Sequence, residues 1–243
     1  MTTLHGGARR CAAILVGTAA VLLSIALAPT SAKAQTASDE WGNWLIYNGT
    51  LRFTDRWTVF TEAQLRLYEF ASNPQEAFVR AAGQYDFTPN AMVGLGYSHI
   101  VGWPFGEDAG EDENSTENRI YEQLTLKQRW GRAGFEHRYR LEQRWIEKAG
   151  ETTYSNRTRY RLQVTVPLNK PSMESGAVFI NVYDEIFINI ASTLSLDQNR
   201  LYTAGGYQFN RLANLQLGYL YNSKAAANFH RLQIFLTWNF DFR

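Results

Sequence analysis

From Trp44 to Phe242, apolar and polar residues alternate with a period of two, the spacing of strands that bury or expose one face, and not the 3.6 of amphipathic helices. Between Arg56 and Glu69, Trp57, Val59, Thr61, Ala63, Leu65 and Leu67 share one face and Arg56, Glu62, Gln64 and Arg66 the other. Ala77, Val79, Ala81, Gly83, Tyr85 and Phe87 repeat the pattern against Glu76, Arg80, Gln84 and Asp86. Residues 91–101 read as a plainer apolar strand. Phe135, Tyr139, Leu141 and Trp145 alternate with Glu136, Arg138, Arg140, Glu142 and Arg144, and Tyr160, Leu162, Val164 and Val166 with Arg157, Arg159, Arg161 and Gln163. Further strands are predicted near 119–130, 177–190, 198–209, 213–222 and 231–242.

Short turns, such as Thr54-Asp55, Thr88-Pro89-Asn90 and Gly131-Arg132, alternate with polar loops predicted at 70–75, 102–117, 147–153, 191–197 and 223–228. The strands have the length that crosses a bilayer when tilted, and short turns on one side with long loops on the other suit a transmembrane barrel. Trp57, Tyr85, Trp130, Trp145, Tyr154, Trp238 and Phe242 fall near strand ends, where an aromatic girdle belongs. The fold expected is therefore an all-β, antiparallel up-and-down transmembrane barrel with its apolar face outward. A soluble periplasmic β-sandwich that binds a ligand is the alternative fold.

The pattern gives ten strands from Arg56 onward plus one over 44–53, and single-chain bacterial barrels take an even number. Either a further strand lies within 35–53, giving twelve, or the first segment is not a wall strand, giving ten. Twelve is favoured.

The chain begins differently. Arg9 and Arg10 precede an apolar run from Cys11 to Ala28, closed by Pro29 and followed by Ala32-Lys33-Ala34. A positive segment, an apolar segment and an A-x-A site describe a secretory signal peptide over 1–34, cleaved between Ala34 and Gln35. Residues 35–243 then form one exported domain without a disulfide, because the single Cys leaves with the leader.

Composition narrows the classes further. Hydrophobic residues make up 45%, charged residues 19% and aromatic residues 14%, with a net charge of +1. Neither a disordered tail nor a collagen-like fibre has that make-up. One long apolar run and a mean hydropathy of −0.34 exclude a polytopic helical membrane protein. Loss of Arg9, Arg10 and Lys33 removes three of 24 basic residues and leaves −2 against 23 acidic ones, so no nucleic-acid partner is expected.

Candidate chemistry lies on the polar faces. Arg119, Lys127, Glu136, Arg138, Arg140, Glu142, Arg144, Arg157, Arg159, Arg161, Glu185 and Arg200 form a predicted interior charge ladder. A turn at Gly131-Arg132 sets Lys127 opposite Glu136 and Tyr121 opposite Glu142. A hairpin centred near Gly150 sets Glu142 opposite Arg159, Arg144 opposite Arg157 and Arg140 opposite Arg161. Such a ladder either braces a plugged barrel through carboxylate pairing or lines a wet lumen open to small anionic solutes. Glu122 and Asp184 fall on apolar faces, near the interface or at a lipid-facing or protein-contact site.

Ser98 and His99 are neighbours on one strand and point to opposite faces, and neither His137 nor His230 sits in a hydrolase-like motif. No catalytic, metal or cofactor set is therefore expected, with an outer-leaflet lipid-modifying hydrolase as the alternative function. The acidic loop of Glu107, Asp108, Glu111, Asp112, Glu113 and Glu117 is a candidate for divalent cations that bridge to lipopolysaccharide, although it lacks the spacing of a calcium loop.

Leu236, Trp238, Phe240 and Phe242 alternate almost to the end of the chain, which resembles the C-terminal signature of bacterial outer-membrane barrels; Arg243 departs from it. Glu117-Asn118-Arg119-Ile120 with Gln123, the run His137 to Arg144, Arg159-Tyr160-Arg161, Asp184 to Asn189 and Asp197 to Tyr202 resemble the outer-membrane barrel family catalogued as domain of unknown function 2490. That resemblance covers essentially the whole chain after the leader. It implies an outer-membrane barrel of a Gram-negative bacterium, either a porin-like passive channel or a structural barrel, and implies no activity. Outer-membrane lipid, lipopolysaccharide and the barrel-insertion machinery are the partners expected of such a protein.

Overall fold

The computed structural model describes residues 37, 41–105 and 113–243. The expected cleavage site at Ala34 and Gln35 and most of the acidic loop lie outside them. The described chain is all β. Its strands are β1 (Trp41–Arg52), β2 (Trp57–Glu69), β3 (Ser72–Thr88), β4 (Ala91–Gly102), β5 (Ser115–Trp130), β6 (Ala133–Lys148), β7 (Glu151–Pro167), β8 (Val178–Ile190), β9 (Leu194–Gln208), β10 (Ala213–Lys224), β11 (Asn228–Trp238) and β12 (Phe240–Asp241). Each of β1 to β10 pairs antiparallel with the next, and the sheet closes on itself through β11 and β1. Closure leaves no unpaired edge along the wall.

The twelve-strand count holds, but the twelfth strand is not hidden in 35–53. It is the two-residue β12, which continues β11 in the same register: Asn48 lies beside Thr237 and Leu51 beside Phe240. Asn239 interrupts the ladder because its side-chain Oδ1, not a backbone carbonyl, accepts the Thr50 N–H at 3.1 Å. Eleven long strands therefore form the wall, and an odd wall closes only if two neighbours run the same way. That pair is β1 and β11, which are parallel over Trp41–Asn48. The up-and-down pattern is thus broken at one seam, and the two ends of the barrel domain lie at opposite mouths.

Loops at the N-terminal mouth are mostly shorter than the alternation predicts. The segments expected at 70–75, 147–153, 191–197 and 223–228 shrink to 70–71, 149–150, 191–193 and 225–227, while the longest connection at the other mouth spans 168–177. Polar segments such as Glu151–Thr153 extend the strands past the apolar band. Backbone pairing continues there although neither face is selected for apolarity, so the period of two fades before the strand ends. A bulge between Arg66 and Leu67 also turns Leu67 out of the apolar face and buries it.

The 149–150 turn corrects one predicted register. Ala149 and Gly150 both take positive φ (52° and 77°), the requirement of a two-residue hairpin turn whose twist matches the flanking strands. The centre falls between them, so Glu142 faces Arg157, Arg140 faces Arg159 and Arg138 faces Arg161, each shifted by two from the expectation. Arg144 faces Ser155. The Gly131-Arg132 turn behaves as predicted, with Lys127 opposite Glu136 and Tyr121 opposite Glu142.

Burial is inverted relative to a water-soluble fold. Outward-facing Leu95, Leu217 and Trp57 are 61%, 57% and 56% exposed, whereas inward-facing Glu142 and Gln233 are at 0% and Arg231 at 1%. Inward glycines make room for inward aromatics. A Cβ on Gly96 would lie 2.3 Å from the Tyr121 ring, which packs flat across it.

Candidate functional site

The interior is divided at mid-height by a septum with two unlike halves. Over β5 to β8 the septum is ionic. Glu142 on β6 is fully buried and accepts from Arg157 Nε and Nη2 at 2.9 and 2.7 Å, from Arg159 Nη1 at 2.7 Å and from Arg119 Nη1 at 3.4 Å. Glu185 on β8 accepts from Arg138 at 2.6 Å and from Arg159 Nε and Nη2 at 3.1 and 2.8 Å. Arg159 therefore bridges two carboxylates. Glu117 takes Arg119 and Arg144 on the N-terminal side, and Glu62 on β2 takes Arg80 and Gln64.

The local fold dictates this arrangement. The hairpin register sets like charges opposite one another, Arg138 against Arg161 and Arg140 against Arg159, and such pairs repel unless a counter-charge intervenes. Glu136 and Glu142 supply it from β6 itself and Glu185 from β8, with Glu136 taking Arg161 at 2.7 Å. Guanidinium planes also lie against inward rings: Arg140 is 4.2 Å from Tyr121, and Arg159 is 4.2 Å from Phe187.

Over β8 to β1 the septum is apolar. Tyr183, Tyr202, Ala204, Leu220, Ile46 and Trp44 form a buried cluster inside the barrel, with Phe235 packed against it. Tyr183 and Tyr202 stack with centroids 4.7 Å apart. Arg200 on β9 joins the two halves, its guanidinium 4.7 Å from Phe187 and 5.1 Å from Trp44 on the facing wall.

Cavities flank the septum. The one at the N-terminal mouth has a volume of about 210 Å³ and the one at the C-terminal mouth about 480 Å³. Both carry more cations than carboxylates: Arg66, Arg200 and Lys224 belong to the first, and Lys127, Arg138, Arg140 and Arg161 to the second.

All twelve residues of the predicted ladder face inward. They do not form one ladder: Lys127 and Glu136 belong to the C-terminal cavity, Arg144 to the N-terminal one, and Arg200 to the far wall. Tyr121 stands inside opposite Glu142 as expected, whereas Phe187, Tyr183, Tyr202 and Trp44 are interior parts that the sequence reading missed. Their places on the polar faces of their strands were the available signal. Trp238, Phe240 and Phe242 lie on the closing strand, and Phe242 stacks on Phe53 at the C-terminal mouth.

Glu122 and Asp184 point outward among apolar neighbours. Glu122 accepts from Gln143 at 3.1 Å and Asp184 from Asn199 at 2.7 Å. The described histidines are outward too: His99 meets Asn118 at 2.9 Å, His137 meets the Tyr160 hydroxyl at 2.8 Å and His230 the Tyr219 hydroxyl at 2.6 Å. Ser98 is buried inside, on the other face from His99.

Fold and interior together define a closed β-barrel with an apolar outer surface and a charged, filled lumen. Residues 41–233 match the family described as protein of unknown function (DUF2490), and the chain belongs to that family. No curated protein and no solved structure matches it.

Proposed function

We propose that this chain is a barrel of the outer membrane that spans the bilayer with its lumen shut. The observation that carries this reading is the inverted burial. A continuous belt of exposed Leu, Ile, Val and aromatic side chains surrounds a wall whose inward polar groups are buried, whereas water-soluble monomers rarely expose large contiguous apolar surface. A barrel satisfies every wall hydrogen bond internally, which is the condition for residence in hydrocarbon. The fully buried interior side chains support a braced barrel over an open pore, since residues lining a water-filled channel stay wet.

A second reading, a passive channel for small anions, is favoured by the excess of cations in both cavities. It requires the septum to part. Fractionation of cells producing the full chain tests the shared claim. The protein is expected in the outer-membrane fraction, resistant to carbonate wash, with folded and boiled forms migrating differently on a gel. Recovery in the periplasmic wash would overturn both readings in favour of a soluble barrel.

A further inference from the structure

The cavity of about 480 Å³ at the C-terminal mouth holds a cation that the rest of the septum leaves unanswered. Arg140 is 4% exposed and lies over Tyr121. Its Nε and Nη2 donate to Gln123 Oε1 at 3.2 and 2.6 Å, so its close partner is a neutral amide. Among the described residues Nη1 is buried without a hydrogen-bond partner, and the nearest carboxylate oxygen, on Glu142, is 3.8 Å away and already shared by two other arginines. A buried guanidinium in this state is costly unless an anion completes it.

The surroundings fit such an anion. The carboxylates that line the same cavity are each engaged: Glu136 with Arg161, Asp86 with Arg52 at 3.6 Å, and Asp241 with Arg243. Lys127 lines the cavity and forms no ion pair among the described residues. Gln123 donates to the Thr125 hydroxyl at 3.0 Å, which keeps its carbonyl turned toward Arg140. The volume of about 480 Å³ accommodates a small organic molecule.

We infer that this cavity is a binding site for a small oxyanion, a carboxylate or phosphate group held by Arg140 at the floor and Lys127 on the wall. The site opens at the mouth that carries the C-terminus. The buried Arg140 guanidinium, not neutralised by its neutral amide partner, supplies positive charge beneath the anion, and the Lys127 ammonium on the wall donates to it.

Calorimetric titration of the folded barrel in uncharged detergent, with succinate and separately with inorganic phosphate, tests the site. One-to-one saturable binding of at least one probe is expected. Succinate alone would define a carboxylate site, phosphate alone a phosphate site, and both a general oxyanion site. Arg140→Gln is expected to weaken binding at least about tenfold, the loss of the buried positive charge beneath the anion. Gln123→Glu places a carboxylate of the chain against Arg140; it should keep the fold and abolish binding, so the inference stays testable if Arg140→Gln does not fold. Arg200→Gln, across the septum, should leave the affinity unchanged. Absence of saturable heat with either probe, or binding that survives Gln123→Glu, would overturn the inference. The titration needs no membrane and no conduction, so its failure is separate from failure of the proposed placement.

Discussion

Arg157 meets Glu142 side-on, its Nε and Nη2 both donating to Oε2 at 2.9 and 2.7 Å, with the carboxylate wholly removed from water. The two residues sit directly opposite each other because Ala149 and Gly150 make the tightest turn the chain allows. A turn that took two more residues from the start of β7 would set Arg159 there instead. The ionic half of the septum thus depends on backbone geometry more than 10 Å along the strand.

Glu142→Gln removes the carboxylate that Arg119, Arg157 and Arg159 share, leaving them Glu117, Asp197 and Glu185 respectively. Removing one partner from a buried ion network costs up to about 3–5 kcal/mol, because the remaining charges stay buried with too little counter-charge. Urea unfolding in lipid vesicles should show that loss. Glu136→Gln, which removes a half-buried partner of Arg161, should cost clearly less.

Gly96 is fixed by close approach. With Ala at this position the Cβ meets the buried Tyr121 ring, and overpacking of this kind costs about 1–3 kcal/mol. Gly205→Ala meets open space and should leave the same unfolding curve nearly unmoved.

Opposite mouths for the two ends give a topology that an even barrel would not. If the C-terminus is periplasmic, as in the proposed placement, Ala37→Cys and Ala226→Cys should react with an impermeant thiol reagent on intact cells, while Asp55→Cys and Arg211→Cys should react only after lysis. Labelling of Ala37→Cys only after lysis, with Ala226→Cys labelled on intact cells, would refute the parallel seam.

Outward positions should obey lipid and not water. Leu217→Arg places a cation in the apolar belt, at a cost of about 2–4 kcal/mol near mid-bilayer. Glu122→Leu should stabilise the barrel in vesicles, since among the described residues only the neutral amide of Gln143 hydrogen-bonds the carboxylate. In detergent-free aqueous buffer the signs should reverse for solubility.

The wall was largely legible in the sequence, because a two-sided strand writes its faces into alternate residues. The register of β5 with β6 was legible as well, since Gly131-Arg132 permits one tight turn. The register of β6 with β7 was not, because polar residues at 147–153 look like a loop whether or not their backbone pairs. The seam between β1 and β11 was out of reach: alternation fixes which way Trp44 points, and not that Gln233 lies beside it. The septum was half visible. Arginines on alternate positions announce an interior charge network, but Phe187 and Tyr202 on polar faces read as exceptions until Arg159 and Phe235 are seen against them.

The central claim is that the septum closes the lumen. Planar-bilayer recording of the folded protein, with a salt gradient and moderate voltage, tests it directly. An inserted protein without steady conductance is expected, with stepwise conductance once Glu142→Gln and Glu185→Gln loosen the ionic half. Sustained, anion-selective steps from the unaltered protein would contradict it.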